Sequence, residues 1–539
     1  MLFNILLALI GLLSFLYLFW KWEDTYFSSR GVDSPPTHLP FIGHMVKIIR
    51  SKEHFRDWML RMYKCSPEES YIGIRRFMVR LVMIKDLELI KQITIKDFDH
   101  FTDRVGLIDT PNDPLFGNNL FILNGQKWRD MRATLSPAFT SSKMRGMFEL
   151  LVKCGQNTAD FYLDRMKKQG IEKTGLVEVE MKDVFTRYAN DVITTTAFGV
   201  EVDSLKDENN VFYQMGKKAT DFSGSGRILK FVLLFTAPKL MKYLNISILD
   251  KNVQEFFRNL VADAMEGREK NNIVRNDMIQ LLMDAKKGML KHDDSSNQDI
   301  KEAGFATVEE SAIGKQTVKR KWTDDELAAQ ALLFYIAGFE TSSVLLSFLA
   351  HELTVHPHIL QRLQEEVDEV ASTNGDKLNY NDLQGMKYMD MVVSETLRFW
   401  PPVINLDRNC TKAYTLPPPN KLKKQSYQIK VGEGVTFPVY AIHHDPQYYK
   451  DPETFDPESF SDENKGEIKP FSYLPFGIGP RNCIGSRFAL LEIKSVIFHL
   501  LRNFDFVKIS RTQDPLQLKL DSFALQASNG FWIGLKSRN

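Results

Sequence analysis

The chain has 539 residues, with 69 Lys and Arg against 68 Asp and Glu, a balance that lacks the basic excess expected of a nucleic-acid partner. Its four cysteines, Cys65, Cys154, Cys410 and Cys483, are too few and too scattered for a disulfide framework, which points to a reducing compartment. A 43% hydrophobic fraction with 38 phenylalanines suits a large apolar core and a pocket for greasy molecules.

Residues 1–20 carry no charged side chain and would span about 30 Å as a helix, the thickness of a bilayer's hydrocarbon core. The bulky Leu18-Phe19-Trp20-Lys21-Trp22 stands where a signal peptide would have small residues, so a retained anchor is favoured, and Lys21 and Arg30 favour a cytosolic body. Residues 21–45 include the stiff proline-rich run from Asp33 to Pro40, a linker that would aim the remaining domain, 46–539, at the membrane. The β-branched alternation from Tyr71 to Ile84 predicts a hairpin, and helical patterns dominate after it. The expected fold class is mainly α with a small β portion (α+β). In a cytosolic domain the sequons at Asn245 and Asn409 stay bare.

Trp128 and Arg132 are four apart on a predicted helix and share a face, a spacing that also suits a simple stacked surface pair. From about Asp284 to Trp322 the chain turns polar, interrupted by Gly304-Phe305-Ala306-Thr307-Val308, and reads as a long exposed connection. Thr323-Asp324-Asp325-Glu326 is a capping box, and Leu327 to Leu349 is nearly free of charge, as expected for a helix through the middle of a protein. Gly338, Glu340 and Thr341 interrupt it, and costly polar groups in such a helix mark function or a paired structural acid. His351 and His356 are five apart and diverge by about 140°, which does not suit a zinc-binding pair. Glu395 and Arg398 lie three apart on a helix face, either as a weak surface pair or as a buried lock. Val403 to Arg408 predicts a strand, and His443-His444 lies in a turn-rich region where both rings are expected to be structural.

The last motif is FSYLPFGIGPRNCIG, Phe471 to Gly485, followed by a helical pattern. Its glycines allow tight turns, and its cysteine stands where helix N–H groups favour a thiolate, a soft ligand for iron. Arg481 adds a fork of donors suited to a carboxylate. A dinucleotide loop is excluded because Gly477 and Gly479 are followed by Pro480, Arg481 and Asn482.

Phe476, Gly479, Arg481, Cys483 and Gly485 match F-x-x-G-x-R-x-C-x-G, so the sequence resembles the cytochromes P450, the haem-thiolate monooxygenases, and more closely an insect microsomal type of family 9. The resemblance covers nearly the whole chain from the proline linker onward. It implies haem (iron protoporphyrin IX) held by Cys483, with Trp128, Arg132, Arg104, Arg408 and Arg481 near its propionates and Phe476 and Gly485 shaping the loop. It implies that Gly338 makes room for dioxygen, that Thr341 hydrogen-bonds it and that Glu340 relays protons. Glu395 and Arg398 become a structural lock whose usual third partner, an arginine, is replaced by Ser459, so Ser459→Arg is expected to raise thermal stability or haem retention. The substrate pocket is expected near Phe116, Phe121, Phe334, Ala337, Val403, Ile404, Phe523 and Leu525. No recognisable NADPH site occurs in the sequence, so electrons are expected from an NADPH-dependent reductase on the same endoplasmic-reticulum membrane, with cytochrome b5 as a further donor. A peroxide-rearranging haem-thiolate isomerase and a haem-binding sensor or carrier stay open as alternatives, although Glu340-Thr341 argues against the first.

Overall fold

The absence of charge decides the first element: α1 (Leu2–Asp24) is one continuous helix, whose apolar window has mean hydropathy 2.2 and is 0% buried. The structure is a computed structural model that describes residues 2–36, 39, 41–106, 113–171, 175–221, 230, 233–234, 238–275, 277–287, 304–316, 318, 320–374 and 377–538. Residues 37, 38 and 40 of the proline-rich run lie outside them. The end of α1 does not swing free. Glu23 turns inward and pairs with Arg75 at 2.9 Å and Arg80 at 2.5 Å, while Tyr26, Phe27 and Val32 enter a core cluster. Phe27 lies so close to Gly73 that a Cβ there would stand 2.2 Å from its ring.

The predicted hairpin forms as β1 (Tyr71–Arg76) and β2 (Val79–Ile84), antiparallel, with Tyr71 opposite Ile84. It joins a four-stranded sheet of order β1-β2-β7-β4, in which β7 (Gly434–Phe437) runs parallel to β2 and β4 (Leu406–Asn409) antiparallel to β7. The strand expected from Val403 therefore begins at Leu406. A second sheet of order β3-β9-β8 joins Leu176–Glu180, Trp532–Ser537 and Phe504–Val507, and β5 (Tyr414–Leu416) pairs with β6 (Tyr427–Ile429).

Helices make up the rest. Those that position the site are α2 (Phe55–Lys64), α3 (Gly125–Leu135), α4 (Ser141–Gln169), α5 (Met181–Ile193), α6 (Asp324–Val355), α7 (Lys387–Phe399) and α8 (Ser486–Asn503). The capping box at Thr323 opens α6 as predicted, with Glu326 Oε2 accepting from Thr323 N at 2.9 Å. Although α6 is apolar enough to cross a membrane, 61% of its apolar window is buried, and it packs between α5 and α8. A helix apolar all round is stable in water only when covered in this way.

The expected exposed connection differs from its prediction. Residues 288–303 lie outside the described part, but residues 304–316 and 320–322 pack against the body: Ala306, Ile313 and Trp322 are buried, and Trp322 Nε1 donates to Thr134 Oγ1 at 3.3 Å. The overall polarity of the stretch conceals these few apolar residues, and they find the core.

Candidate functional site

The cysteine loop is shaped by two glycines. Gly477 and Gly479 have φ of 74° and 69°, and a Cβ at Gly479 would stand 2.1 Å from the Thr94 carbonyl oxygen, so a side chain there fails on both counts. A single turn of 3-10 helix, Gly479–Arg481, follows, and Cys483 N donates to Phe476 O at 2.8 Å to close the loop. The Cys483 side chain is left accessible by the loop, while Arg481, Asn482 and Ser486 around it are buried. The surrounding protein mass pushes its thiol up by desolvation, opposed by the Gly485 N–H and Arg132 and reinforced by Glu310. A coordinating metal would favour its thiolate.

Three arginines converge beside the loop. Arg481 stacks on the buried Trp128 of α3, 3.9 Å from its ring centre, and donates to the carbonyls of Thr102 and Leu123 at 2.8 Å each. Arg408 on β4 donates to Asp407 O at 2.7 Å, and Arg104 lies over Phe121 at 4.0 Å. Burial holds Arg104, Arg408 and Arg481 below the ordinary guanidinium range, Arg408 at about 9, and repulsion from neighbouring arginines adds to it at Arg408 and Arg481. Among the described residues the buried Nε atoms of Arg104 and Arg408 have no hydrogen-bond partner. Asp103 and Asp407 are partly engaged elsewhere, with Gly125 N and with Arg76 and Val105 N. An excess of buried positive charge with unused donors is unfavourable unless anionic groups join it. The two carboxylates of a haem meet that requirement. The donor set agrees, because no group of three His, Cys, Asp or Glu able to hold a metal occurs among the described residues, so a metal on Cys483 must bring its other ligands with it.

Arg132, the second residue of the Trp128 helix face, has partners within the chain. Its Nε and Nη2 meet Glu310 at 3.1 and 2.5 Å, and its Nη1 and Nη2 donate to the backbone and side-chain oxygens of Asn482 at 2.7 and 2.8 Å.

On α6, Ala337 and Thr341 are exposed within an otherwise covered stretch and, one turn apart, share one helix face. Phe334 on the preceding turn packs on Phe139 at 5.3 Å, and a Cβ at Gly485 would lie 3.4 Å from the same ring. Ser342 Oγ donates to Glu492 of α8 at 2.6 Å, so this part of α6 is braced against the cysteine's own helix. Thr341 Oγ1 donates to Ala337 O at 2.6 Å. Glu340 is paired at 3.1 Å with Lys182 of α5, which also donates to Ser343 Oγ at 2.8 Å. Lys182 is the functional neighbour that sequence reasoning missed; it lies far away in the chain within no motif. Gly338 has a packing reason of its own, since a Cβ would come within 2.4 Å of Ile193 Cδ1.

Glu395 and Arg398 form a buried lock on α7, with Nε to Oε2 and Nη2 to Oε1 both at 2.7 Å. The remaining guanidinium hydrogens go to the carbonyls of His443, Pro452 and Thr454 at 2.9, 2.9 and 3.0 Å. Every donor is used, and Asp456 N donates to Glu395 Oε1 at 2.8 Å. The Glu395–Arg398 pair thus has main-chain partners of its own without an arginine at Ser459. His443 is structural as expected, accepting from Leu474 N at 2.8 Å, and burial pushes its ring down to about 3.

The expected pocket residues are scattered more widely. Phe116 and Phe121 flank the turn near Arg104, Val403 is exposed, and Ile404 is buried with its carbonyl accepting from Tyr440 N. Phe523 packs edge-on against Phe55 at the start of α2, and Leu525 is core.

A lone sulfur on a glycine-shaped loop, beside three buried arginines that outnumber their two carboxylate neighbours, Asp103 and Asp407, fits a protein built around an anionic, metal-bearing prosthetic group. Comparison with known proteins narrows this class. The family model described as cytochrome P450 matches residues 34–533, so the chain belongs to the cytochrome P450 family. It is 46% identical to cytochrome P450 9e2 of Blattella germanica over 97% of this chain and 96% of that protein. It is 41% identical to probable cytochrome P450 9f2 of Drosophila melanogaster, covering 97% of each, and 36% identical to cytochrome P450 6k1 of Blattella germanica, covering 95% and 93%. Members of the family are haem-thiolate monooxygenases that use dioxygen, and these relatives place the chain among the insect family 9 enzymes.

Proposed function

We propose that Cys483 is the thiolate ligand of the haem, that Arg104, Arg408 and Arg481, with Trp128 beneath them, receive its two carboxylates, and that the enzyme oxygenates lipophilic substrates. The excess of buried arginine charge next to the cysteine loop, with the Nε donors of Arg104 and Arg408 unused, carries this reading. When bound, the haem supplies the activation of dioxygen. The residues of the chain supply the proton path and the shape of the substrate chamber, which the Ala337 and Thr341 face of α6 lines. Lys182 pairs with Glu340 Oε2 at 3.1 Å, within one turn of the chamber face, where the carboxyl group can collect a proton and pass it inward. The Thr341 hydroxyl points its proton at Ala337 O, which leaves its lone pairs free to accept one from the chamber side. Ala337 and Phe334 give the chamber an apolar wall.

Electrons come from an NADPH-dependent reductase, with cytochrome b5 as a second donor, on the endoplasmic-reticulum membrane in which α1 is the single-pass anchor and from which the body faces the cytosol. Substrates are xenobiotics, such as plant toxins or insecticides, or endogenous lipids. A reduced, carbon-monoxide-treated preparation should show the long-wavelength band of thiolate ligation, and Cys483→Ser should abolish it. Absence of the band in the natural protein overturns the reading. NADPH-dependent product formation with reductase supports oxygenation, whereas turnover with organic peroxide alone would point to a rearranging enzyme instead.

A further inference from the structure

Residues 304–316 form a strap with three points of attachment. At one end Phe305 N donates to Asp390 Oδ2 of α7 at 2.9 Å, and its ring packs on Phe460 and Tyr473 at 5.2 and 5.5 Å. In the middle Asn482 Nδ2 donates to Glu309 O at 2.8 Å. Next to it Glu310 grips Arg132 with both oxygens. Gly314 makes this grip possible, because a Cβ there would stand 2.4 Å from the Glu310 carboxyl carbon. The hydrogen bonds run from Glu310 to Arg132 to Asn482, the residue directly before Cys483. Arg132 and Glu310 act on the sulfur with opposite sign, one favouring its anion and the other opposing it.

We propose that Glu310 is a positioning residue for the cysteine loop, fixing Arg132 against Asn482 and offsetting the positive charge that Arg132 places beside the sulfur. The inference rests on Cys483 being the haem ligand. Partners of this kind, one contact removed from a metal ligand, orient it and tune its electron donation. With Glu310 neutralised, the uncompensated Arg132 stabilises the extra electron of the reduced site, so the potential rises.

The test uses the full-length haem protein and three variants: Glu310→Gln, which keeps the shape and removes the charge; Glu310→Asp, which keeps the charge; and Gly314→Ala, which displaces the carboxylate without touching it chemically. Glu310→Gln and Gly314→Ala should both shift the ferric/ferrous midpoint to more positive potential, and haem capture by apomyoglobin should quicken by roughly 10-fold or more. Glu310→Asp should return the potential toward the natural value. If the natural protein shows the thiolate band and Glu310→Gln leaves the midpoint unchanged, the proposal fails even if thermal stability drops. If the natural protein lacks the band, the haem-ligand reading itself has failed, and the two failures are told apart.

Discussion

Arg398 and Ser459 give opposite expectations that one experiment can separate. The guanidinium of Arg398 has five acceptors: two oxygens of Glu395 and the carbonyls of His443, Pro452 and Thr454. A lysine ammonium has three donors, so Arg398→Lys leaves at least two buried acceptors without a partner. At about 1–3 kcal/mol for each unsatisfied group, the substitution should cost about 2–6 kcal/mol. Ser459→Arg adds a cation to a lock that is already full. A new half-exposed ion pair contributes about 0–1 kcal/mol, so the variant should be nearly neutral. The assay is the thermal midpoint of the detergent-solubilised full-length protein, with haem content read in parallel. Arg398→Lys should lower both, while Ser459→Arg leaves both within error. A clear rise in midpoint or haem retention for Ser459→Arg would show that the Asp456 N–H and Arg398 leave Glu395 short of a donor that the new arginine supplies.

Glu340→Gln should lower product formation by roughly 10²-fold, the lower range for a lost general acid or base, and Lys182→Met should fall between it and the natural enzyme; product formed per NADPH with reductase present checks both. Stability should depend on pH with opposite signs at the two ends. Glu492 is pushed by burial from 4.5 up to about 8, so the folded state keeps a proton that the unfolded state loses, and stability falls as pH rises through that window. Glu492→Gln should flatten this limb in midpoints measured across it. His443 and His499, held by burial at about 3 and about 4 against an ordinary 6.5, make stability fall as pH drops below 6.5 toward those values, a limb that Glu492→Gln leaves in place. Gly338→Ala should cost about 1–3 kcal/mol through overpacking against Ile193, and the double variant with Ile193→Ala should cost less than the sum of the two singles.

What the sequence made legible is what is local. The hairpin from Tyr71 to Ile84, the capping box at Thr323 and the tight turns at Gly477 and Gly479 are each set by neighbours a few residues apart, and each forms at its expected place. The family motif brought Cys483, Arg481 and the Glu395–Arg398 pair to notice for the same reason. The partners of those residues were not legible, because they are supplied by the tertiary fold. Lys182 reaches Glu340 from another helix, and the acceptors that complete Arg398 are main-chain carbonyls, which no side-chain pattern can announce. The strap is the sharper case. Composition marks residues 284–322 as solvated, and composition averages away one phenylalanine, one glutamate and one permissive glycine whose placement matters more than the polarity of the rest. An acid on the strap pairs with Arg132, a partner that no motif announces. A motif names the residues that meet a cofactor, but the charge each one presents to it depends on what the rest of the fold has already paired it with.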